Sequence, residues 1–380
     1  MHANSLFKLS KMPLPNSATL YAFHNEPKKF LAFCAACPFA QAKGADFVKF
    51  DERPAWKTGR KHDMIDWQQK NLSACADMPA RLLKEGVFMH EPFFLRGTLL
   101  YSSSPDTIEI LDDGWLLCRD GRAAGVFRSK PERFANLDVF DYTGKLIIPG
   151  MTDLHVHAPQ FSFRGLGMDL ELLDWLNTYT FPEESKYEDL SYAETAYESF
   201  VSRLARSTTT RACIFATLHI PATLLLMQKL EDAGLSTYVG KVNMNRNCPP
   251  YLRELSTNHS LRDTERWILD TKDAFQRTKP ILTPRFIPSC TDDLMFGLAR
   301  LREQYDLPVQ SHLSENYSEI DWIRELCPKS KFYGDAYDQF GLFGGGYPCI
   351  MAHCVHSSEA EEERMLQNGV FVAHAPESNM

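Results

Sequence analysis

Two histidines separated by a single valine, His155 and His157, close the apolar stretch LIIPGMTDLHVHAPQ at positions 146–160. Side chains alternate along a β-strand with a period of two, so both imidazoles leave one face about 6–7 Å apart along the chain. Imidazole nitrogen binds zinc at about 2.0–2.1 Å, so one ion fits between two such rings. His-x-His alone is equally well explained by ordinary histidines ending a buried strand. Three later residues give the pair its partners: His312 in QSHLSEN, Glu315 three positions beyond it, and His353 in MAHC. A carboxylate one step past a ligand-bearing strand can lie beside a metal without binding it, a natural general acid and base. Glu315 also stands where a helix begins, a position that acids favour for the dipole. His219 and His374 fall near strand ends and are candidate pocket walls. His356, His259, His90, His62, His24 and His2 read as surface or structural.

Those side chains must be brought together by a scaffold. Helical periodicity runs through 168–179, 192–207, 222–234, 261–276, 292–304, 318–326 and 358–369. Between these segments lie apolar strands at 211–220, 237–244, 280–286, 307–314, 348–354 and 370–375. With the first histidine strand they make seven strands, each but the last followed by a helix. Repeated units of this length predict an α/β protein, a parallel (β/α)₈ TIM-like barrel. The sequence reaches Asn379 and Met380 before an eighth strand, so the expected barrel lacks it. Strand C-terminal ends converge on one mouth in such a barrel. His155 and His157 end strand one, His312 lies on strand five and His353 on strand six. Short apolar runs from Phe93 to Leu146, broken by Gly, Pro, Asp and Ser, predict a small antiparallel β unit. The expected division is 1–91 unassigned, 92–146 a partial small β-sandwich unit, and 147–380 the incomplete barrel.

The net charge of −8 over 380 residues provides no basic footprint, which argues against nucleic acid and anionic membrane as partners. No run of 18 apolar residues is present to span a membrane. Ten cysteines, scattered from Cys34 to Cys354 without framework spacing, read as reduced thiols of a cytoplasmic protein. Lys28-Lys29, FLAFCAACPFA and Ala40-Gln41-Ala42 imitate a signal peptide but begin nearly thirty residues in. His24-Asn25-Glu26 and Cys34-Ala-Ala-Cys37 imitate a cytidine-deaminase-type zinc site. Only seven residues separate Glu26 from Cys34, too few for the helix and strand that such a site folds between its motifs.

PGMTDLHVHAPQ, SHLSEN, MAHC and HAPESN together resemble the amidohydrolase superfamily. HAPQFSFRG, DLELLDWLNTYTFPEE, TPRFIPSC and QSHLSEN resemble its guanine-deaminating members, and the likeness runs from about Phe93 to Met380. The resemblance implies zinc ligands at His155, His157, His312 and His353, and a proton-shuttling Glu315. It implies purine contacts at Gln160, Arg285 and Phe286, guanine as the small-molecule partner, and a homodimer. The implied reaction is hydrolytic deamination of guanine to xanthine and ammonia.

That chemistry suits the residue types. Zinc lowers the pKa of water to about 7. Arg285 offers a fork of donors to the purine O6, Gln160 supplies both donor and acceptor, and Phe286 can stack on the ring. Two-metal relatives carry a carboxylated lysine at the end of strand four. Here that strand ends in Arg285-Phe286 and Lys279 precedes it, so one zinc per chain is implied. The superfamily's remaining ligand, an aspartate on strand eight, has no counterpart before Met380. The chain is accordingly expected to be much less active than one extended through that strand. The alternatives are an amidohydrolase deaminase or chlorohydrolase acting on another aminated heterocycle, and a catalytically inactive purine binder.

Overall fold

The computed structural model describes residues 91–379. The His24 and Cys34 motifs, the signal-like stretch and the unassigned segment 1–90 lie outside the described residues. The described residues fall into two compact units, one ending at Pro149 and the other beginning at Gly150.

The first unit is a four-stranded sheet of β1 (Phe93–Ser104), β2 (Thr107–Arg119), β3 (Arg122–Phe127) and β4 (Asp138–Ile147), in the order β3-β2-β1-β4. Asp120 and Gly121 join β2 to β3 with φ of 51° and 69°, the left-handed pair that a tight two-residue hairpin demands. Phe94 is fully buried, and its ring meets those of Trp115, Phe127 and Phe134 at 6.0, 6.1 and 5.9 Å. The sheet is mixed where an antiparallel unit was expected, because β4 pairs parallel with β1. A short 3₁₀ turn, Glu132–Phe134, lies in the crossover from β3 to β4. Leu146 and Ile147 belong to this sheet, and strand one of the second unit starts only at Met151. Pro149 between them lacks the N–H needed to continue a ladder.

The second unit is α/β with parallel sheets. Its strands are β5 (Met151–His157), β6 (Thr209–Phe215), β7 (Ser236–Gly240) with β8 (Val242–Asn243), and β9 (Thr278–Pro280) with β10 (Thr283–Pro284). They continue as β11 (Val309–Leu313), β12 (Cys349–His353) and β13 (Val370–Ala373). Every pairing is parallel: β5-β6-β7-β9, β8-β10 and β11-β12-β13, with a Leu282–Val309 bridge linking the fourth strand to the fifth. The fourth strand is ragged because Pro280 and Pro284 cannot donate to a ladder. Gly240 permits a close approach there, since a Cβ on it would meet Thr283 Oγ1 at 1.7 Å.

The helices are α1 (Leu172–Trp175), α2 (Phe181–Ser185), α3 (Leu190–Ala205), α4 (Ile220–Asp232) and α5 (Thr257–Thr271). They continue with α6 (Asp292–Tyr305), α7 (Tyr317–Leu326), α8 (Tyr333–Gln339) and α9 (Glu359–Asn368). Side chains of Asp189, Ser256, Asn316 and Ser358 cap α3, α5, α7 and α9 by accepting from backbone N–H groups of the first turn. The helix expected at 168–179 starts late, at Leu172, because Gly165 and Gly167 at φ of 83° and 68° hold the preceding segment in turns. It continues through a π-helical turn, Leu176–Thr180, into α2, whose first turn accommodates Pro182. Helix α8 escapes periodicity analysis because it is only seven residues long. The main core joins strand and helix residues, among them Ile214, Leu226, Met227, Trp267, Leu294 and Val309, all fully buried. Among the described residues no helix is long and apolar enough to cross a membrane, and seven cysteines carry free thiols.

Candidate metal and active site

His155 and His157 end β5, and His312 comes from β11. One nitrogen from each of these three imidazoles lies within 4.8 Å of the other two. The Nε2 atoms of His157 and His312 stand 3.0 Å apart. Two donors on one tetrahedral zinc, with bonds of about 2.0–2.1 Å, stand ~3.3 Å apart. His312 Nδ1 donates to the Arg285 carbonyl at 2.6 Å, which leaves its Nε2 as the bare nitrogen. His157 Nδ1 is buried without a partner. Burial first, then the neighbouring imidazoles and Arg285, hold the His157 pKa well below the ordinary value, and similar causes depress His155 and His312. Three neutral imidazoles, His312 buried and His155 and His157 half-buried, are the donor set that a zinc ion takes.

The fourth expected ligand is placed differently. The His353 ring adjoins those of His155 and His312 at 5.0 and 5.5 Å, but its nitrogens fall outside the close group of three. Its Nε2 lies 3.4 Å from Glu315 Oε2, and its Nδ1 donates to Asn379 Oδ1 at 3.1 Å. Burial lowers its pKa to about 4. The backbone here is unusual: Ser314 just past β11, and His353 and Cys354 at the end of β12, have φ of 48°, 73° and 54°. Left-handed non-glycine residues persist only where neighbours hold them. Glu361 is one such neighbour, accepting from Ser314 Oγ at 2.8 Å and from the Gly334 N–H at 2.6 Å.

Glu315 sits immediately before the cap of α7. Burial pushes its carboxyl up to about 7, against the pull of Arg285, so it can hold or release a proton near neutrality. Behind it, Glu319 accepts from the Glu315 N–H at 3.1 Å and from the Tyr333 hydroxyl at 2.8 Å. Burial and then the charge of Glu315 raise Glu319 to about 8. The folded state therefore keeps a proton that an unfolded glutamate, with its ordinary value of 4.5, releases. Stability from this group is full below the unfolded value and falls as pH rises toward about 8. Urea unfolding of Glu319→Gln across that window is expected to show a shallower pH slope than the unsubstituted protein.

Arg285 and Phe286 follow β10, and Gln160 lies in the 3₁₀ turn Ala158–Phe163 directly after β5. Arg285 is buried and its Nη1 donates to Glu184 Oε2 at 2.6 Å. Burial raises the Glu184 pKa and Arg285 draws it partly back. Phe286 is buried and meets Trp322 edge to face at 6.1 Å. Of the two histidines expected as pocket walls, His219 stands at the N-terminal boundary of α4, its side chain making no cap and its Nε2 buried and unpartnered, and His374 is exposed just past β13.

Several supporting residues carry no periodic or motif signal. Phe215, opposite His157 in the β5–β6 register, stacks on that ring at 4.5 Å. Tyr337 of α8 donates to the His312 carbonyl at 2.9 Å and lies 2.7 Å from Ser311 Oγ. Tyr337→Phe takes a donor from the His312 carbonyl, while Ser311 Oγ keeps its bonds to the Pro284 and Arg285 carbonyls at 2.7 and 3.2 Å, and is expected to cost about 1–3 kcal/mol in thermal or urea unfolding.

The chain as a whole is similar to known proteins. The chain is 41% identical over 249 residues to guanine deaminase of Dictyostelium discoideum, covering 63% of this chain and 53% of that protein. It is 35% identical over 316 residues to guanine deaminase of Mus musculus, covering 81% and 67%. The structure of guanine deaminase from C. acetobutylicum with guanine bound in its active site superposes with a TM-score of 0.73 at 46% identity, covering 75% of this chain and 68% of that one. The chain thus spans about half to two thirds of the length of these relatives. The sequence pattern of the amidohydrolase family matches residues 146–380, through every strand that carries a site residue, and the chain belongs to that family.

Proposed function

We propose that this chain hydrolyses guanine to xanthine and ammonia, using one zinc ion. The observation that carries this reading is the grouping of His155, His157 and His312 at the ends of parallel strands, with the His353 ring adjoining them and Glu315 beside His353. It is supported by 46% identity to a protein whose structure holds guanine. His155, His157 and His312 would hold the ion, with His353 alongside. When bound, zinc makes water nucleophilic at neutral pH. Glu315 takes the proton released as water oxygen bonds to guanine C2, and passes it to ring N3. It then carries the remaining proton of the C2 hydroxyl to the amine, so that the C2–N bond breaks, ammonia leaves and the C2 carbonyl of xanthine forms. Arg285 donates to O6, Gln160 reads the purine edge, and Phe286 supports the ring face. The seven parallel strands fit the (β/α)₈ architecture, with residues 92–146 as a small β domain.

Substrate choice tests the reading. Adenine presents an amine where guanine presents O6, setting donors against Arg285, and each unpaired buried group costs on the order of 1–3 kcal/mol. Ammonia release is expected to be fastest from guanine when guanine, adenine and cytosine are compared, and chloride release from a chlorinated triazine slower still. Faster turnover of any of the other three overturns the assignment.

A further inference from the structure

Two consecutive acids on the short helix α2, Glu183 and Glu184, are both buried, and they hold two different parts of the site. Glu183 accepts from Ser162 Oγ at 2.6 Å, from Lys186 Nζ at 2.7 Å and from the Tyr192 hydroxyl. Ser162 lies two residues beyond Gln160 in the same 3₁₀ turn, so Glu183 fastens the turn that carries Gln160. Glu184 takes the Arg285 guanidinium at 2.6 Å, with side chains only 1% and 3% exposed. The guanidinium carbon also lies 5.1 Å from the centre of the Phe181 ring, on the same helix. Arg285 is thereby gripped by a carboxylate and an aromatic ring supplied by one element. An unpaired guanidinium buried here would attract any anion that could enter.

We infer that Glu184 is a positioning residue that aims Arg285 and offsets its charge, so that the heterocycle subsite holds no unpaired guanidinium and selects an uncharged purine. This rests on the guanine reading above. Xanthine, a dione with a more acidic ring N–H than guanine, is partly anionic at mildly alkaline pH. A guanidinium already paired with Glu184 gives that anion little extra hold, which favours product release.

The test compares zinc-loaded wild type, Glu184→Ala and Glu184→Gln at mildly alkaline pH, measuring KM and kcat for guanine by ammonia release and inhibition by xanthine. Glu184→Ala loses the aim of Arg285, and the guanine KM is expected to rise about 10–100-fold with a much smaller change in kcat. Glu184→Gln keeps an acceptor for Nη1 but not the charge. It is expected to restore most of the KM while binding xanthine about tenfold more tightly than wild type does. If Glu184→Ala fails to fold, the xanthine-to-guanine ratio in Glu184→Gln decides. An active wild type whose variants leave both KM and that ratio unchanged overturns the role of Glu184 alone. A wild type that does not turn over guanine overturns the guanine reading and this inference together.

Discussion

Glu315→Gln is expected to retain zinc and fold normally while losing turnover of guanine by about 10²–10⁴-fold, the usual contribution of a general acid or base. The amide nearly matches the carboxylate in shape, so the contact near His353 Nε2, at 3.4 Å, can be kept in size if not in charge. The three imidazoles that group within 4.8 Å do not include this residue, so metal content is expected to be unchanged. What disappears is the exchangeable proton. The Glu315 carboxyl is raised by burial to about 7, so it can accept a proton from water and return it to the substrate near neutral pH. An amide does neither. Zinc content by elemental analysis and ammonia release, measured on the same preparation, check the prediction. Activity within a few-fold of wild type removes Glu315 from the reaction.

His157→Ala is expected to fail in the opposite order, losing the metal first and turnover with it. The 3.0 Å separation of the His157 and His312 Nε2 atoms suits two donors converging on one ion, and His157 Nδ1 has no protein partner to explain its burial. Removing the ring leaves two nitrogens of the close group of three and a void beside Phe215, on which it stacks. The loss of zinc affinity is expected to exceed the roughly 10–100-fold typical of removing a ligand's outer hydrogen-bond partner. Equilibrium dialysis against a zinc buffer reads the effect directly. Retention of a full equivalent of zinc in the variant places the ion elsewhere.

The contrast between these residues also explains what could be read from the sequence. The strand-end positions of His155, His157, His312 and His353 were legible because alternation on a strand and repetition of strand–helix units fix which end of each strand a residue occupies. The position of Glu315 was legible because it lies two residues past β11. Glu184, Glu319 and Tyr337 were not, because each reaches the site from a helix whose packing no local pattern encodes. Glu184 meets Arg285 across 101 positions of chain, and Tyr337 meets the His312 carbonyl across 25. The placement of His353 was only partly legible for a similar reason. Strand placement brings His353 to the right end of β12, but the left-handed turn at its own φ of 73° sets where its nitrogens lie. The parallel pairing of β4 with β1 was hidden too, since the apolar runs that mark a strand do not record its direction.

The most direct measurement is the stoichiometry of products from guanine by the zinc-loaded protein, with ammonia and xanthine quantified together and Glu315→Gln run beside it. The expected result is equimolar ammonia and xanthine from the wild type, with both falling together in the variant. Zinc-loaded wild-type protein that releases no ammonia from guanine, or a variant that releases it equally well, contradicts a reaction centre made of His155, His157, His312 and Glu315.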